Sequence, residues 1–326
     1  MLAGSAALAF VVAFVAVRVL LSRFGRLALD RPNPRSLHER PVPRTGGIAV
    51  LLGAAVAFAF GAADLWLVFS LAVSLAVLSF IDDLRGMPTA LRLMGHLAAA
   101  AIAVWFVLSP LLAVEIAVLV LALAWLTNLY NFMDGSDGLA GGMATIGFGA
   151  YGVAAWLAGH AALASLCLAL SAAAAAFVLH NLHPARIFLG DVGSIPLGFL
   201  AGALGLVGWR DDLWPLWFPV LVFGPFIADA TLTLVKRALR RQRVWQAHRE
   251  HYYQRMVLMG LGHRATAWIG YAAMALCALI AVLARHQAPA VQAAAFLGAS
   301  AVLAAIALWV DVRWWKWKHG PVKEHE

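Results

Sequence analysis

AVEIAVLVLALAWLTNLYNFMDGSDGLAGG, Ala113 to Gly142, decides what kind of molecule this is. Up to Leu126 the only charged residue is Glu115, and the run is long enough to cross the roughly 30 Å of bilayer hydrocarbon as a helix. Asn128, Asn131, Asp134 and Asp137 then follow within ten residues. Such groups are costly in lipid unless they are partnered, so a cluster at the end of a span marks a place where they are used.

Working outward, the same alternation of apolar run and polar cluster recurs. Hydrophobic residues make up 63% of the 326 residues and charged residues 12%, against roughly 25% charged in a soluble domain. Eleven candidate spans centre near Phe10, Val56, Val73, Ala101, Val118, Phe148, Leu170, Leu200, Leu221, Met274 and Val302. The expected fold is an all-α polytopic membrane helix bundle of about eleven transmembrane helices, forming one integral membrane domain over residues 1–326. The first run, Leu2 to Leu21, has neither a basic leader nor a small-residue cleavage site, and reads as a retained helix. Cys167 and Cys277 fall inside apolar runs, which suits buried thiols better than a disulfide framework.

The charges orient the bundle. Of 24 Lys and Arg, only Arg210 and Arg285 fall in loops on one side of this map, which puts the N-terminus outside and the C-terminus in the cytoplasm. The polar segments 23–45, 82–89, 128–137, 180–194 and 236–264 then all emerge on the cytoplasmic face. Glu115, on the other side, is placed to meet headgroups. A pI near 10.1 does not imply nucleic acid, because the positive charge follows membrane topology.

Each polar segment carries its own chemistry. Asp82 and Asp83 in FIDDLRG end the third span, where the helix dipole and their mutual repulsion disfavour two carboxylates. A cation should offset them: Arg85 as a helix-end partner, a divalent ion, or a charged substrate. Asn128, Asn131, Asp134 and Asp137 recur every third residue, and each step drifts by about 60° around a helix, so they converge only if Gly135 and Gly138 break it. An amide oxygen with a few carboxylates is the hard-oxygen set that suits Mg²⁺. Asp191, between Gly190 and Gly193, opens the eighth span at the positive end of a helix, a seat for a diphosphate or a plain cap. Phe188 stands three residues earlier, and His180 and His183 fit a membrane interface as readily as a site.

His38, Arg40 and Arg44 lie in a basic, Pro-rich stretch that cannot be helical throughout. His248, Arg249 and His251 lie in the most basic segment and suit phosphate oxygens, although a membrane surface also explains the charge. Asp229, inside the ninth span, is a candidate because an intramembrane acid is functional by default.

LHERPVPRTGG, FIDDLRG, NLYNFMDGSDGLAGG, RIFLGDVGSIPLG and HREHYYQR, in this order over some 230 residues, resemble the polyprenyl-phosphate N-acetylhexosamine-1-phosphate transferase family. That family, glycosyltransferase family 4, includes the WecA-type and WbpL-type enzymes and phospho-MurNAc-pentapeptide translocase. The resemblance implies transfer of a sugar 1-phosphate from a UDP-sugar to undecaprenyl phosphate at the cytoplasmic face of a bacterial inner membrane, releasing UMP. It implies Mg²⁺, with Mn²⁺ as a substitute, and a homodimer as the candidate assembly. By the same resemblance Asp82 and Asp83 are the catalytic pair near the lipid phosphate, and Asn131 and Asp191 are metal ligands. Asn128, Asp134, Asp137, Phe188, His38, Arg44, His248, Arg249 and His251 fall to substrate binding. HREHYY departs from the WecA-like His-x-His-His and resembles the WbpL-like branch, which implies an N-acetylated amino or deoxyamino sugar and a glycan such as O-antigen. The competing readings are an ion-coupled transporter, an intramembrane aspartyl protease and a CDP-alcohol phosphotransferase.

Overall fold

The computed structural model describes residues 1–32, 37–38, 40–244, 246 and 248–319. It is an all-α bundle: α1 Leu2–Arg23, α2 Gly46–Ala55, α3 Trp66–Arg85, α4 Thr89–Leu108, α5 Ala113–Phe132, α6 Leu139–Leu157, α7 Ala161–Asn181, α8 Asp191–Arg210, α9 Trp217–Val222, α10 Gly224–Leu239, α11 Tyr252–Met256, α12 Gly262–Ala284 and α13 Pro289–His319. Two short antiparallel strands, β1 Leu29–Asp30 and β2 Val42–Pro43, pair across the basic segment between α1 and α2.

Eight of the eleven expected spans are single helices long and apolar enough to cross a membrane. The others depart for local reasons. Around Val56 the helix is only Gly46–Ala55, prolonged by a tighter turn to Phe60. Around Leu221 the helix breaks at Phe223, because Pro225 lacks an N–H and restricts Gly224 before it, leaving α9 and α10 as separate pieces. The third, α6, has the length, but glycines dilute its apolar character.

Helix α8 is the centre of the bundle, with α3 and α5 against it and α2 and α4 along its flanks. Small residues let it be surrounded. A Cβ on Gly47 of α2 would lie 2.1 Å from the Gly193 Cα, so these helices cross backbone to backbone. On the outside Val11, Val15, Trp105, Phe106 and Leu283 are exposed, a surface suited to lipid. Glu115 is exposed, and its carboxylate accepts the Leu112 N–H at 3.0 Å and caps α5.

Candidate active site

The C-terminal ends of α3, α5 and α7 and the N-terminal ends of α4, α6, α8 and α12 meet around one polar cleft. Asp82 ends α3 with Oδ1 accepting the Met87 N–H at 2.6 Å, so the chain turns at Gly86 and returns as α4 directly over it. That return delivers Arg92, whose guanidinium donates to Asp82 Oδ2 at 2.8 Å and lies 3.9 Å from Asp191 Oδ2. Arg44, from the segment after β2, lies 3.4 Å from Asp83 Oδ1. The offsetting cations at the acidic pair are therefore Arg92 and Arg44, and not the Arg85 considered from sequence.

A cavity of about 230 Å³ opens beside these groups. Asp30, His38 and Arg44 line it from the strap between α1 and α2; Asn131, Asp134 and Asp137 line it from the α5–α6 turn. Phe188, Gly190 and Asp191 supply the opposite wall, and Gln254 and His263 close it. The walls are stitched together. Phe188 N–H donates to Pro43 O at 2.8 Å, Gly46 N–H returns to Phe188 O at 2.9 Å, and the His38 ring stands edge-on to Phe188 at 4.9 Å. Buried Asn181 accepts the Gly138 N–H and donates to Ile187 O, each at 2.9 Å, tying the α5–α6 turn to the loop before α8. Gly138 takes φ 77°, which supplies the expected break before α6.

Among the described residues the balance of charge in this cleft is incomplete. Asp30, Asp82, Asp83, Asp134 and Asp191 crowd two guanidiniums. Asp83 Oδ2 is buried and, among the described residues, accepts no hydrogen bond. Burial, and then the neighbouring Asp191, push the Asp134 carboxyl well above the usual range. Asn131 accepts from Ser194 Oγ at 2.7 Å, one turn into α8 from Asp191. Under-compensated hard oxygens on three helix ends are a donor set that a small divalent cation fits, with Asn131 and Asp191 the residues that could hold it.

Other sequence candidates take different places. Asn128 is not in the cleft wall; its amide donates to Ala124 O at 2.7 Å one turn back in α5, as the drift of a three-residue spacing requires. His248 and His251 line a neighbouring cavity of about 290 Å³ that shares Gln254 with the cleft, and Arg249 sits beside them in the loop. Burial, with His251 and Arg237 close by, lowers the His248 imidazole to about 4. Asp229, the intramembrane acid, accepts the Tyr252 N–H at 2.9 Å, the Tyr253 N–H at 3.0 Å and His251 Nδ1 at 3.1 Å. It caps α11 and orients His251. His180 is packed inside, its ring 5.0 Å from Phe14, whereas His183 is exposed and bonds Asp137 Oδ2 at 2.7 Å.

Sequence reading passed over Asp30, Arg92, Asn181, Gln254 and His263. Arg92 alone carried a usable signal: a cation ten residues after Asp82, across a Gly-x-Pro turn too short to lead elsewhere.

The chain is thus a multi-pass membrane bundle that gathers acids and arginines around one polar cleft. A sequence profile of glycosyl transferase family 4 matches residues 65–209. Over that stretch the chain is similar to this family. It is 29% identical to a probable undecaprenyl-phosphate N-acetylglucosaminyl 1-phosphate transferase of Bacillus subtilis, over 81% of this chain and 80% of that protein. It is 28% identical to a decaprenyl-phosphate N-acetylglucosaminephosphotransferase of Mycobacterium tuberculosis, over 88% of this chain and 82% of that protein. A phospho-N-acetylmuramoyl-pentapeptide-transferase of a Geobacillus strain is 29% identical over 66% of this chain and 74% of its own length.

Proposed function

We propose that the protein transfers an N-acetylhexosamine or deoxyamino-sugar 1-phosphate from a UDP-sugar to undecaprenyl phosphate, releasing UMP. The product is the first lipid-linked sugar of a surface glycan such as O-antigen. The observation that carries this reading is the convergence of Asp82, Asp83, Asn131 and Asp191 from three separate helices on Arg44 and Arg92. The relatives' names supply the acceptor class, a polyprenyl phosphate, and the transferred group.

In this reading an oxygen of the lipid phosphate attacks the sugar-bearing phosphorus of the donor. A new P–O bond forms, the bond to the bridging oxygen breaks, and UMP departs with that oxygen. The acceptor oxygen is already anionic near neutral pH, so direct attack needs little activation. Arg92 is placed between Asp82 and Asp191 to trade a carboxylate contact for a phosphate oxygen as the substrates arrive. Arg44 offers the same exchange beside Asp83. Phe188 and Asp137 flank the nucleotide end, while His248, Arg249 and His251 border the cleft from the cytoplasmic loop. The chemistry that Mg²⁺, or Mn²⁺ in its place, supplies when bound is charge neutralisation on the diphosphate and the departing UMP. The active face is the cytoplasmic one.

The test is release of UMP from a panel of UDP-HexNAc donors with undecaprenyl phosphate and Mg²⁺. Release dependent on both lipid and metal supports the reading; donor hydrolysis without lipid, or no release from any donor, overturns it.

A further inference from the structure

At the nucleotide end of the cleft, three groups that no step above requires as a set converge on one point. Asp137, at the turn into α6, His183, in the loop after α7, and His263, at the start of α12, present ligand atoms within 4.8 Å of one another. The two imidazole rings lie parallel, 7° apart with centroids at 5.1 Å. Both turn Nδ1 toward the same carboxylate: His183 Nδ1 is 2.7 Å from Asp137 Oδ2, and His263 Nδ1 is 3.9 Å from Asp137 Oδ1.

The tautomer of His263 makes this arrangement informative. The Asp137 backbone N–H points at His263 Nδ1 from 3.3 Å, and an N–H can meet only a lone pair there. The ring proton is then on Nε2, where it donates to Leu37 O at 3.2 Å. Ser136 Oγ, 3.0 Å from Nδ1, can rotate to suit. The His263 lone pair, met by the Asp137 N–H, also lies 3.9 Å from Asp137 Oδ1 with no ring proton on that nitrogen, in a nearly buried setting. His183 adds a third potential lone pair, because its ring is about half exposed and its proton can move to Nε2 and be met by water.

We propose that Asp137, His183 and His263 form a binding site for an imidazole-preferring divalent ion of the zinc type, separate from the oxygen-lined acidic pair and Asp191. Two imidazoles and one carboxylate with solvent at the remaining position are a ligand set for Zn²⁺, Co²⁺ or Ni²⁺, whereas Mg²⁺ prefers oxygen alone. A tetrahedral ion with bonds of about 2.0–2.1 Å needs its ligand atoms about 3.3 Å apart, so a contraction of up to about 1.5 Å completes the site. The Ala185 N–H, 3.2 Å from Asp137 Oδ2, steadies the carboxylate from behind. A bound ion would pin the α5–α6 turn, the loop after α7 and the start of α12 to one another, and through Leu37 O would hold the strap as well. The inference does not depend on which reaction the cleft performs.

The experiment uses the full chain in detergent with excess Mg²⁺ to fill the oxygen-lined site, titrated with Co²⁺ and followed by visible ligand-field absorption. One equivalent of Co²⁺ with a spectrum of low-coordinate nitrogen and oxygen ligation is expected, displaced by Zn²⁺ and not by further Mg²⁺. His183→Ala, a change at an exposed side chain, should weaken Co²⁺ by more than ~10-fold, the loss that even outer partners of a metal site can produce. His180→Ala and Asp191→Ala should keep the signal. Zn²⁺ should raise the melting temperature of the wild type and not of His183→Ala. No absorption change, or an unchanged signal in His183→Ala, or a signal lost in Asp191→Ala, overturns the site.

Discussion

Two groups of partly buried carboxylates lie within this one chain, and they are treated oppositely. In the late segment Asp229, Glu250 and Asp311 each have a complement. Asp229 takes two backbone N–H groups and His251; Asp311 is gripped by Lys236 and by Arg255 at 2.7 Å; and Glu250 meets Arg237 and Arg240. At the cleft, Asp83 keeps an oxygen with no partner among the described residues, and Asp134 is driven toward its protonated form. A fully met carboxylate holds elements together; an incompletely met one retains affinity for something that arrives later. The late network fastens α13 and α11 to α10. The cleft acids are left with charge still to be offset.

The sharpest way to break this contrast is Asp191→Ala, which should reduce metal-dependent UMP release by ~10³-fold or more while the protein stays folded by circular dichroism. Full turnover would place the metal elsewhere. Arg92→Ala comes next, with a loss of ~10²-fold, the scale of one charge-stabilising donor, and partial recovery in Arg92→Lys. If Arg92 only neutralised Asp82, the Asp82→Asn/Arg92→Ala double variant would regain activity, and a rate assay would show it.

Asp311→Ala should do the reverse: it should lower stability by roughly 1–3 kcal/mol, because Arg255 is left buried without its partner, and spare turnover at low temperature. Thermal melts paired with a rate assay in the cold would separate the two effects. The smallest effect concerns His248. Its folded value of about 4 lies below the roughly 6.5 of a free imidazole, so the folded state favours the neutral ring. Its contribution to stability is present in full above pH ~6.5 and is lost as pH falls from there toward 4. In His248→Gln the melting temperature should fall less steeply across that window.

The contrast also explains what the sequence could and could not reveal. Motif residues were legible because polar groups in a greasy chain stand out, and Asp82, Asn131 and Asp191 do meet. Compensation was not legible, since partners come from far along the chain. Asp229 looked like an unpaired intramembrane acid because its donors, Tyr252 and Tyr253, lie more than twenty residues later. Asp30 and His263 were passed over for the same reason: their relevance depends on a strap and a helix start folding over the cleft. The ninth span was read as continuous because hydropathy does not register the missing N–H of Pro225. Asn128 illustrates a finer limit, as regular spacing in sequence became a spiral around α5 and carried it away from its neighbours.

The contact of Gly47 with Gly193 has a practical corollary. Because the two main chains touch a few residues from Asp191, one added methyl would act as a wedge at the point where α2, just after the strap, meets α8. A mutational survey should find alanine intolerable at both glycines, in a protein that still inserts and accumulates normally, so that silent clones from such a survey would trace a seam invisible to any ligand-contact map.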